Sequence, residues 1–204
     1  GIEIIKPATP WQNVRTVGED IVATELILPE NHVIRPVDIG AMLSGGHTEI
    51  QVRRRPLIAI IPTGSELIEP GVPPAKGNII ESNSRILSEL VHEWGGEPVR
   101  WHIVPDDKEK IEKALLEAAA SADLVVVNAG ASAGKKDFTA PAIRAVGEIL
   151  LHGVNIKPGK PVILGRVRKK PVIGIPGYPV SAYITFGLFA KPVIHVWQGL
   201  DLRQ

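Results

Sequence analysis

From Pro56 onwards, short apolar runs alternate with helical segments, and this alternation restricts the possible folds more than any other feature of the sequence. The run at 57–61 is apolar at every position, and the run at 123–128 is apolar between its terminal Asp and Asn, which is typical of strands buried on both faces of a parallel sheet. Segments 82–94 and 107–120 have the composition and end signals of helices. We therefore predict an α/β domain with three layers, α-β-α, around a mostly parallel sheet.

The remaining elements of this domain follow from the same patterns. They are a strand at 99–104, a helix at 140–146, strands at 162–167 and 172–175 that are candidates for a hairpin, and a last helix at 179–191. In open α/β sheets, ligands bind at the carboxyl ends of the strands. The loops after Ile61, Asn128 and Ile175 are therefore the predicted binding loops.

The first part of the chain has a different composition. Residues 1–54 consist of short pieces separated by turns, with a predicted helix at 35–43 and a predicted strand at 49–53. Large apolar residues are too few here for a complete core. We therefore divide the chain into a small partial α+β segment at 1–54 and the main domain at 55–204.

Composition and charge exclude several functional classes. The chain has 23 Lys and Arg against 22 Asp and Glu, a net charge of +1, so we expect no nucleic-acid partner. We interpret the basic runs at 53–55 and 166–170 as solvated strand ends. The sequence has no cysteine, which fits a cytoplasmic protein and excludes thiolate chemistry. No run of about 18 apolar residues is present, so we expect no membrane span.

The three predicted binding loops are rich in glycine and small residues. Glycine lets backbone N–H groups approach an anion closely, and a helix N-terminus adds a favourable dipole. Three such loops at one sheet edge fit a phosphorylated ligand. The candidate ligand-binding residues are Thr63 and Gly64 in the first loop, Gly130, Ser132 and Gly134 in the second, and Pro176, Gly177, Pro179 and Ser181 in the third.

Charged residues near these loops are candidates for catalysis and metal binding. Glu66, Asp107 and Asp137 could act in acid–base chemistry, and Mg²⁺ is held in proteins by one or two carboxylates together with phosphate oxygens. Asp107 fits equally well as the N-cap of a helix. Lys157 and Lys160 fit either phosphate binding or simple solvation.

The order of these motifs resembles one known family. Its molybdopterin-binding domain is matched by Thr63-Gly64-Ser65-Glu66-Leu67, Ser82-Asn83, Val104-Pro105-Asp106-Asp107, the loop at 130–138, Lys157-Pro158-Gly159-Lys160-Pro161 and the loop at 176–182. The chain is thus similar to the molybdopterin molybdenumtransferases, the group of MoeA and the gephyrin E domain. Residues 1–54 resemble part of the preceding linker domain, so we expect the chain to be a piece of a longer enzyme.

The resemblance implies a function and roles for the candidate residues. Enzymes of this family insert molybdenum from molybdate into adenylylated molybdopterin and release AMP, using Mg²⁺. Glu66, Asp107, Asp137 and, from the first segment, Asp20 match the family's acidic site residues, with Glu66 and Asp137 as metal ligands. Pro176 and Pro179 match the pterin or phosphate pocket. A homodimer is implied for the full-length protein, whereas this chain by itself is expected to be inactive.

Three departures from the family pattern keep other functions open. Ser65 stands where Asp is common, Tyr178 where Asn is usual, and the central loop ends in Lys135-Lys136-Asp137-Phe138. One alternative is a binding module that holds molybdopterin or the finished cofactor without catalysis. Another is a molybdopterin adenylyltransferase, although this activity predicts a Thr-Gly-Gly-Thr-Gly type of central loop that the chain lacks.

Overall fold

The computed structural model describes residues 1–128 and 138–200, which form two compact units, Gly1–Val52 and Arg53–Gln204. The first unit contains one helix, α1 (Pro36–Ser44), close to its predicted position. Asp38 in the first turn of α1 is buried and accepts hydrogen bonds from the backbone N and guanidinium of Arg35 and from His32. These contacts, chiefly those from Arg35, hold the pKa of Asp38 well below its usual range.

The predicted strand at 49–53 does not form. Residues 47–56 have no regular secondary structure, and residues 49–55 are exposed. Alternating polarity produces a strand only where a neighbouring strand completes its hydrogen bonds. No described segment pairs with this one.

The second unit contains the predicted three-layer α/β fold. Its helices and strands are β1 (Leu57–Pro62), β2 (Leu67–Ile68), β3 (Ile79–Ile80), α2 (Asn83–Glu93), β4 (Glu97–Arg100), α3 (Lys108–Ser121), β5 (Leu124–Asn128), α4 (Thr139–Val146), β6 (Gly147–His152), β7 (Ile163–Val167), β8 (Lys170–Ile175) and α5 (Pro179–Trp197). The main sheet has the order β4-β1-β5-β8-β7-β6. The first four strands run parallel, and β7 is antiparallel to both of its neighbours.

Alternate residues of the strands face two different helix layers. In β1, Ile58 and Ile60 pack with α2 and α5, whereas Ala59 and Ile61 pack with α3 and α4. All four side chains are fully buried. The continuous apolar run at 57–61 is thus explained by helices on both faces of the sheet.

Several elements differ from the prediction. Strands β2 and β3 were not predicted, and β4 covers Glu97–Arg100 where a strand at 99–104 was predicted. Strand β6 and helix α5 differ for identifiable reasons. Strand β6 was not predicted; it is an edge strand with mostly exposed side chains, so its sequence lacks the apolar pattern of a buried strand. Helix α5 continues beyond Lys191 and through Pro192 to Trp197. Its buried stripe of Phe186, Ala190 and Ile194 extends past the proline, and this packing offsets the backbone hydrogen bond that proline cannot donate.

Helix α5 is also long and apolar enough to cross a membrane by length and composition alone. Part of this apolar character faces the core, since Ala182, Phe186, Ala190 and Ile194 are buried against the sheet. Other apolar side chains of α5, such as Val180, Leu188 and Val196, are more than half exposed.

Candidate functional site

The carboxyl ends of β1, β5 and β8 lie side by side at one edge of the sheet. Pro62 pairs with Asn128, and Asn128 pairs in turn with Ile175, so these parallel neighbours end at the same level. The loops that follow β1 and β8 therefore meet here, as predicted. The second loop, with Gly130, Ser132, Gly134 and Asp137, lies outside the described residues.

A cleft of about 180 Å³ opens at this edge. One wall is the small two-stranded sheet of β2 and β3, whose Ile79 and Ile80 are each about half exposed. The other walls are the N-terminus of α2, the end of β5 and the third loop. The side chains that line the cleft include Glu66, Ile79, Ile80, Asn83, Asn128 and Tyr178.

Two buried asparagines tie the walls of the cleft together. The side-chain amide of Asn83 donates to Asn128 Oδ1 at 3.0 Å and to the carbonyl of Gly177 at 2.7 Å. Asn128 Nδ2 donates to the carbonyl of Pro176 at 3.0 Å. This amide bridge joins α2, β5 and the third loop, which are far apart in sequence. Asn83 and Asn128 were not predicted as site residues, although an asparagine closing an otherwise apolar strand was a usable signal.

The first loop is fixed by its own backbone. Thr63 N donates to the carbonyl of Asn128 at 2.9 Å, and Gly64 N donates to the carbonyl of Val104 at 3.0 Å. A Cβ at Gly64 would lie 2.9 Å from Leu67 Cγ and 3.1 Å from the carboxylate oxygens of Glu66. Glycine at this position therefore lets the carboxylate fold back over the loop, and Glu66 lines the cleft.

Ser65 holds the first loop against the loop before α3. Its hydroxyl oxygen accepts from Asp106 N at 3.0 Å, and its backbone N donates to Asp106 Oδ2 at 3.4 Å. The neighbouring Asp107 caps α3, because its carboxylate accepts from Lys110 N at 3.0 Å. The structure thus supports the helix-cap interpretation of Asp107, which does not line the cleft.

The third loop contributes backbone carbonyls and the start of α5. Pro176 and Gly177 accept the hydrogen bonds of the amide bridge, and Pro179 is the first residue of α5. Ser181 lies in the first turn of α5, where its carbonyl accepts from Thr185 Oγ1 at 2.6 Å. The cleft is lined by Gly177, Tyr178 and Pro179.

The turn at 157–161, called the lysine turn here, lies at the same edge of the sheet because it directly precedes the antiparallel strand β7. Ile163 at the start of β7 pairs with Gly174 near the carboxyl end of β8, so the preceding turn lies beside the third loop. Gly159 in this turn is buried, and a Cβ there would overlap Thr185 Cγ2 on α5. Lys157 and Lys160 on either side of it are exposed.

A chain of charged side chains supports the wall formed by α2 and β3. Glu81 is buried and accepts from Ser84 N at 2.7 Å, from Ser84 Oγ at 2.6 Å and from Arg85 Nη1 at 3.0 Å. Arg85 also donates to Glu69 at 2.7 Å, and this contact is the main cause of the lowered pKa of Glu69. Glu81 was not predicted as a site residue; its pairing depends on β3, which the sequence did not reveal.

Asp20 belongs to the first unit, where it is exposed and pairs with Arg15 at 3.5 Å. Among residues 1–128 and 138–200, no three His, Asp or Glu side chains form a metal-binding group. Within the same residues, the carboxylate of Glu66 has no hydrogen-bond partner and is available to a ligand.

The cleft therefore combines an internally bonded amide bridge, apolar walls from Ile79 and Ile80 and the carboxylate of Glu66, which has no hydrogen-bond partner among the described residues. Together with the sheet order, these features are typical of α/β domains that bind a small molecule at the carboxyl edge of their strands. Residues 59–196 match the family described as "Probable molybdopterin binding domain", and the chain belongs to that family.

Curated relatives named molybdopterin molybdenumtransferase are similar to this chain over nearly its whole length. The chain is 34% identical to a molybdopterin molybdenumtransferase of Haemophilus influenzae over 93% of its own length and 47% of the relative. It is also 34% identical to molybdopterin molybdenumtransferase 2 of Mycobacterium tuberculosis over 98% of the chain and 51% of the relative. The chain thus spans about half the length of these relatives.

Solved structures show the same similarity. The molybdopterin biosynthesis MoeA protein of Pyrococcus horikoshii superposes with a TM-score of 0.85 and is 35% identical, covering 96% of this chain and 49% of that one. A molybdenum cofactor biosynthesis protein B superposes with a TM-score of 0.56 at 20% identity, which is similarity of fold alone. The comparisons thus favour the molybdenumtransferases over the alternatives left open by the sequence.

Proposed function

We propose that this chain binds adenylylated molybdopterin in the carboxyl-edge cleft. We further propose that the full-length protein inserts molybdenum from molybdate into this substrate and releases AMP. The supporting observation is the cleft itself, on a chain that resembles molybdenumtransferases along 93% of its length. There the amide bridge meets the carboxylate of Glu66, which has no hydrogen-bond partner among the described residues. Molybdate is a substrate in this scheme.

The residues of the cleft suit the parts of such a substrate. A pterin is a flat, polar ring, and Ile79, Ile80 and Tyr178 offer walls for its faces. The Asn83–Asn128 bridge holds the walls at a fixed separation, so the pocket does not need to be ordered when the ligand binds. Lys157 and Lys160 are exposed at the same edge and would attract phosphate groups.

The family resemblance supplies the remaining roles as proposals. In the second loop, Gly130, Ser132 and Gly134 would approach the phosphates. Thr63 and Gly64 would shape the first loop, whose N–H groups are already bonded within the protein. Pro176, Gly177, Pro179 and Ser181 would form the third side of the pocket. Asp20 and Asp107 would be acidic residues of the complete active site in the full-length protein.

The described residues are compatible with Mg²⁺ as a cofactor. Mg²⁺ prefers one or two carboxylates together with phosphate oxygens and water, and Glu66 offers one available carboxylate at the cleft. By resemblance, Asp137 would provide the second. When bound, the ion would neutralise charge on the phosphate groups. Glu66 would hold it at the entrance of the first loop.

We also propose a setting for the full-length protein. It would act in the cytoplasm as a homodimer on a small pterin substrate, without nucleic-acid or membrane partners. The nearly balanced charge of this chain supports the absence of a nucleic-acid partner.

The test of this function is molybdate-dependent AMP release by the full-length protein from adenylylated molybdopterin, under anaerobic conditions. We expect Glu66→Gln to lower kcat about 100-fold, because the amide cannot replace the charge of the carboxylate. Glu89→Gln, a change of the same kind at an exposed position on α2, should leave kcat unchanged. Tight binding without AMP release by the wild-type protein would indicate a non-catalytic binding module instead.

A further inference from the structure

A second cavity lies at the opposite, amino edge of the sheet. Strands β1, β5 and β8 are parallel neighbours, so the segments that precede them meet at this edge. The cavity measures about 470 Å³ and lies within the second unit. Its polar and aromatic lining consists of Arg53, Arg54, Asp123, Lys169, Lys170 and Trp197.

The fold brings two basic runs together at this cavity. Arg53 and Arg54 belong to the run before β1, and Lys169 and Lys170 belong to the run between β7 and β8. As single runs they fit solvated strand ends, but the sheet order places them around one space. Four basic side chains and one carboxylate line the cavity, so the lining itself carries more positive than negative charge, although Glu97 also acts electrostatically on Arg54.

The carboxylate of Asp123 accepts hydrogen bonds from two of these basic side chains. Its Oδ2 accepts from Arg54 Nη1 at 2.7 Å and from Leu57 N at 2.9 Å. Its Oδ1 accepts from Arg54 Nη2 at 3.0 Å and from Lys170 Nζ at 3.3 Å. These contacts, led by the one from Arg54, lower the pKa of Asp123 to about 2. The carboxylate therefore stays charged at neutral pH and keeps both cations in place.

The turn between β7 and β8 presents further charge. Arg168 and Lys169 have φ angles of 49° and 66°, as in the two-residue turns that join antiparallel strands. Lys169 is exposed at the rim of the cavity. Trp197, at the end of α5, adds an aromatic wall on the other side. Cations held in advance beside a concave, partly apolar wall favour anions with several charges.

We propose that this amino-edge cavity is a second ligand site, which binds a small molecule carrying phosphate groups with at least two negative charges. It is separate from the carboxyl-edge cleft and does not depend on the function proposed for that cleft. Inorganic pyrophosphate is the simplest probe, since it has this charge and fits in the cavity volume.

The experiment is a titration of the full chain with pyrophosphate at low ionic strength, followed by tryptophan fluorescence and by calorimetry. The wild type should show a saturable change in fluorescence that weakens as salt is added. Trp197→Phe should remove this change while calorimetry still detects binding. Lys169→Asn, which tolerates the positive φ, should weaken binding, and its combination with Lys170→Gln should weaken binding about tenfold or more.

Lys113→Gln is the matched control, because Lys113 is an exposed lysine on α3 whose partner, Glu117, lies on the same helix. It should bind pyrophosphate as the wild type does. The proposal is overturned if the folded wild-type chain shows no saturable binding. It is also overturned if Lys169→Asn and the double variant both bind with wild-type affinity, since pyrophosphate would then be held elsewhere.

Discussion

Removing the side chain of Asn128 tests the amide bridge that shapes the cleft. Asn128→Ala deletes the acceptor for Asn83 and the donor to the Pro176 carbonyl, two hydrogen bonds of 3.0 Å each. A hydrogen bond contributes about 1 kcal/mol, and the partly buried carbonyl of Pro176, left without its partner, adds a cost of up to about 1 kcal/mol. Since Asn128 is 3% exposed, we expect water to compensate little, and the free energy of unfolding should fall by about 2 to 3 kcal/mol.

Urea unfolding followed by tryptophan fluorescence measures this loss, because Trp94 packs against Phe186 in the core with ring centroids 5.1 Å apart. The exposed Asn155 provides the matched control, and Asn155→Ala should change the free energy of unfolding by less than about 0.5 kcal/mol. A double-mutant cycle with Asn83→Ala should give a coupling energy of about 1 kcal/mol. The reasoning is refuted if Asn128→Ala is no more destabilising than Asn155→Ala, or if the coupling is zero.

Two further predictions concern other parts of the second unit. The lowered pKa of Asp123, from 3.8 to about 2, stabilises the fold above the unfolded pKa, and this contribution is lost as pH falls from about 5 towards 2. The full shift corresponds to about 2.4 kcal/mol, which we reduce to about 1 kcal/mol because the Arg54 side chain is 67% exposed and solvent screens the pair. Asp123→Asn should be less stable than the wild type by this amount at pH 7, and urea unfolding should show the difference shrinking by about half at pH 3; a difference independent of pH would contradict this account. Gly159→Ala should destabilise the lysine turn by more than about 1 kcal/mol, because its φ is 112° and the new methyl would overlap Thr185, and equal melting temperatures for variant and wild type would show that this packing is unimportant.

The sequence predicted those parts of the fold whose burial is uniform. The run at 57–61 is apolar at every position because both faces of β1 are covered, and such a run is readable without any partner. Strand β6 was not predicted because an exposed edge strand has no such apolar pattern. Strands β2 and β3 have two residues each, and only their pairing across the chain makes them strands.

The candidate site was likewise predictable from the sequence only in part. Glycine-rich loops at strand ends pointed to the carboxyl edge, and the first and third loops do meet there. The Asn83–Asn128 bridge joins residues 45 positions apart, so no local pattern could predict it. For Asp107, the sequence allowed two roles, a helix cap and a site carboxylate. The structure shows the helix cap. The pairing of Arg54 with Asp123 likewise emerged only from the sheet order.

Blocking the cleft bounded by β3 tests whether molybdopterin binds there. Ile80 is 48% exposed at the cleft wall, so Ile80→Trp fills the space with little effect on the core. Ile86 on α2 is 43% exposed and does not line the cleft, which makes Ile86→Trp the matched control. In an anaerobic titration of the chain with adenylylated molybdopterin, we expect Ile80→Trp to bind about tenfold more weakly than wild type, and Ile86→Trp to bind as wild type does. Undiminished binding by Ile80→Trp would contradict the account.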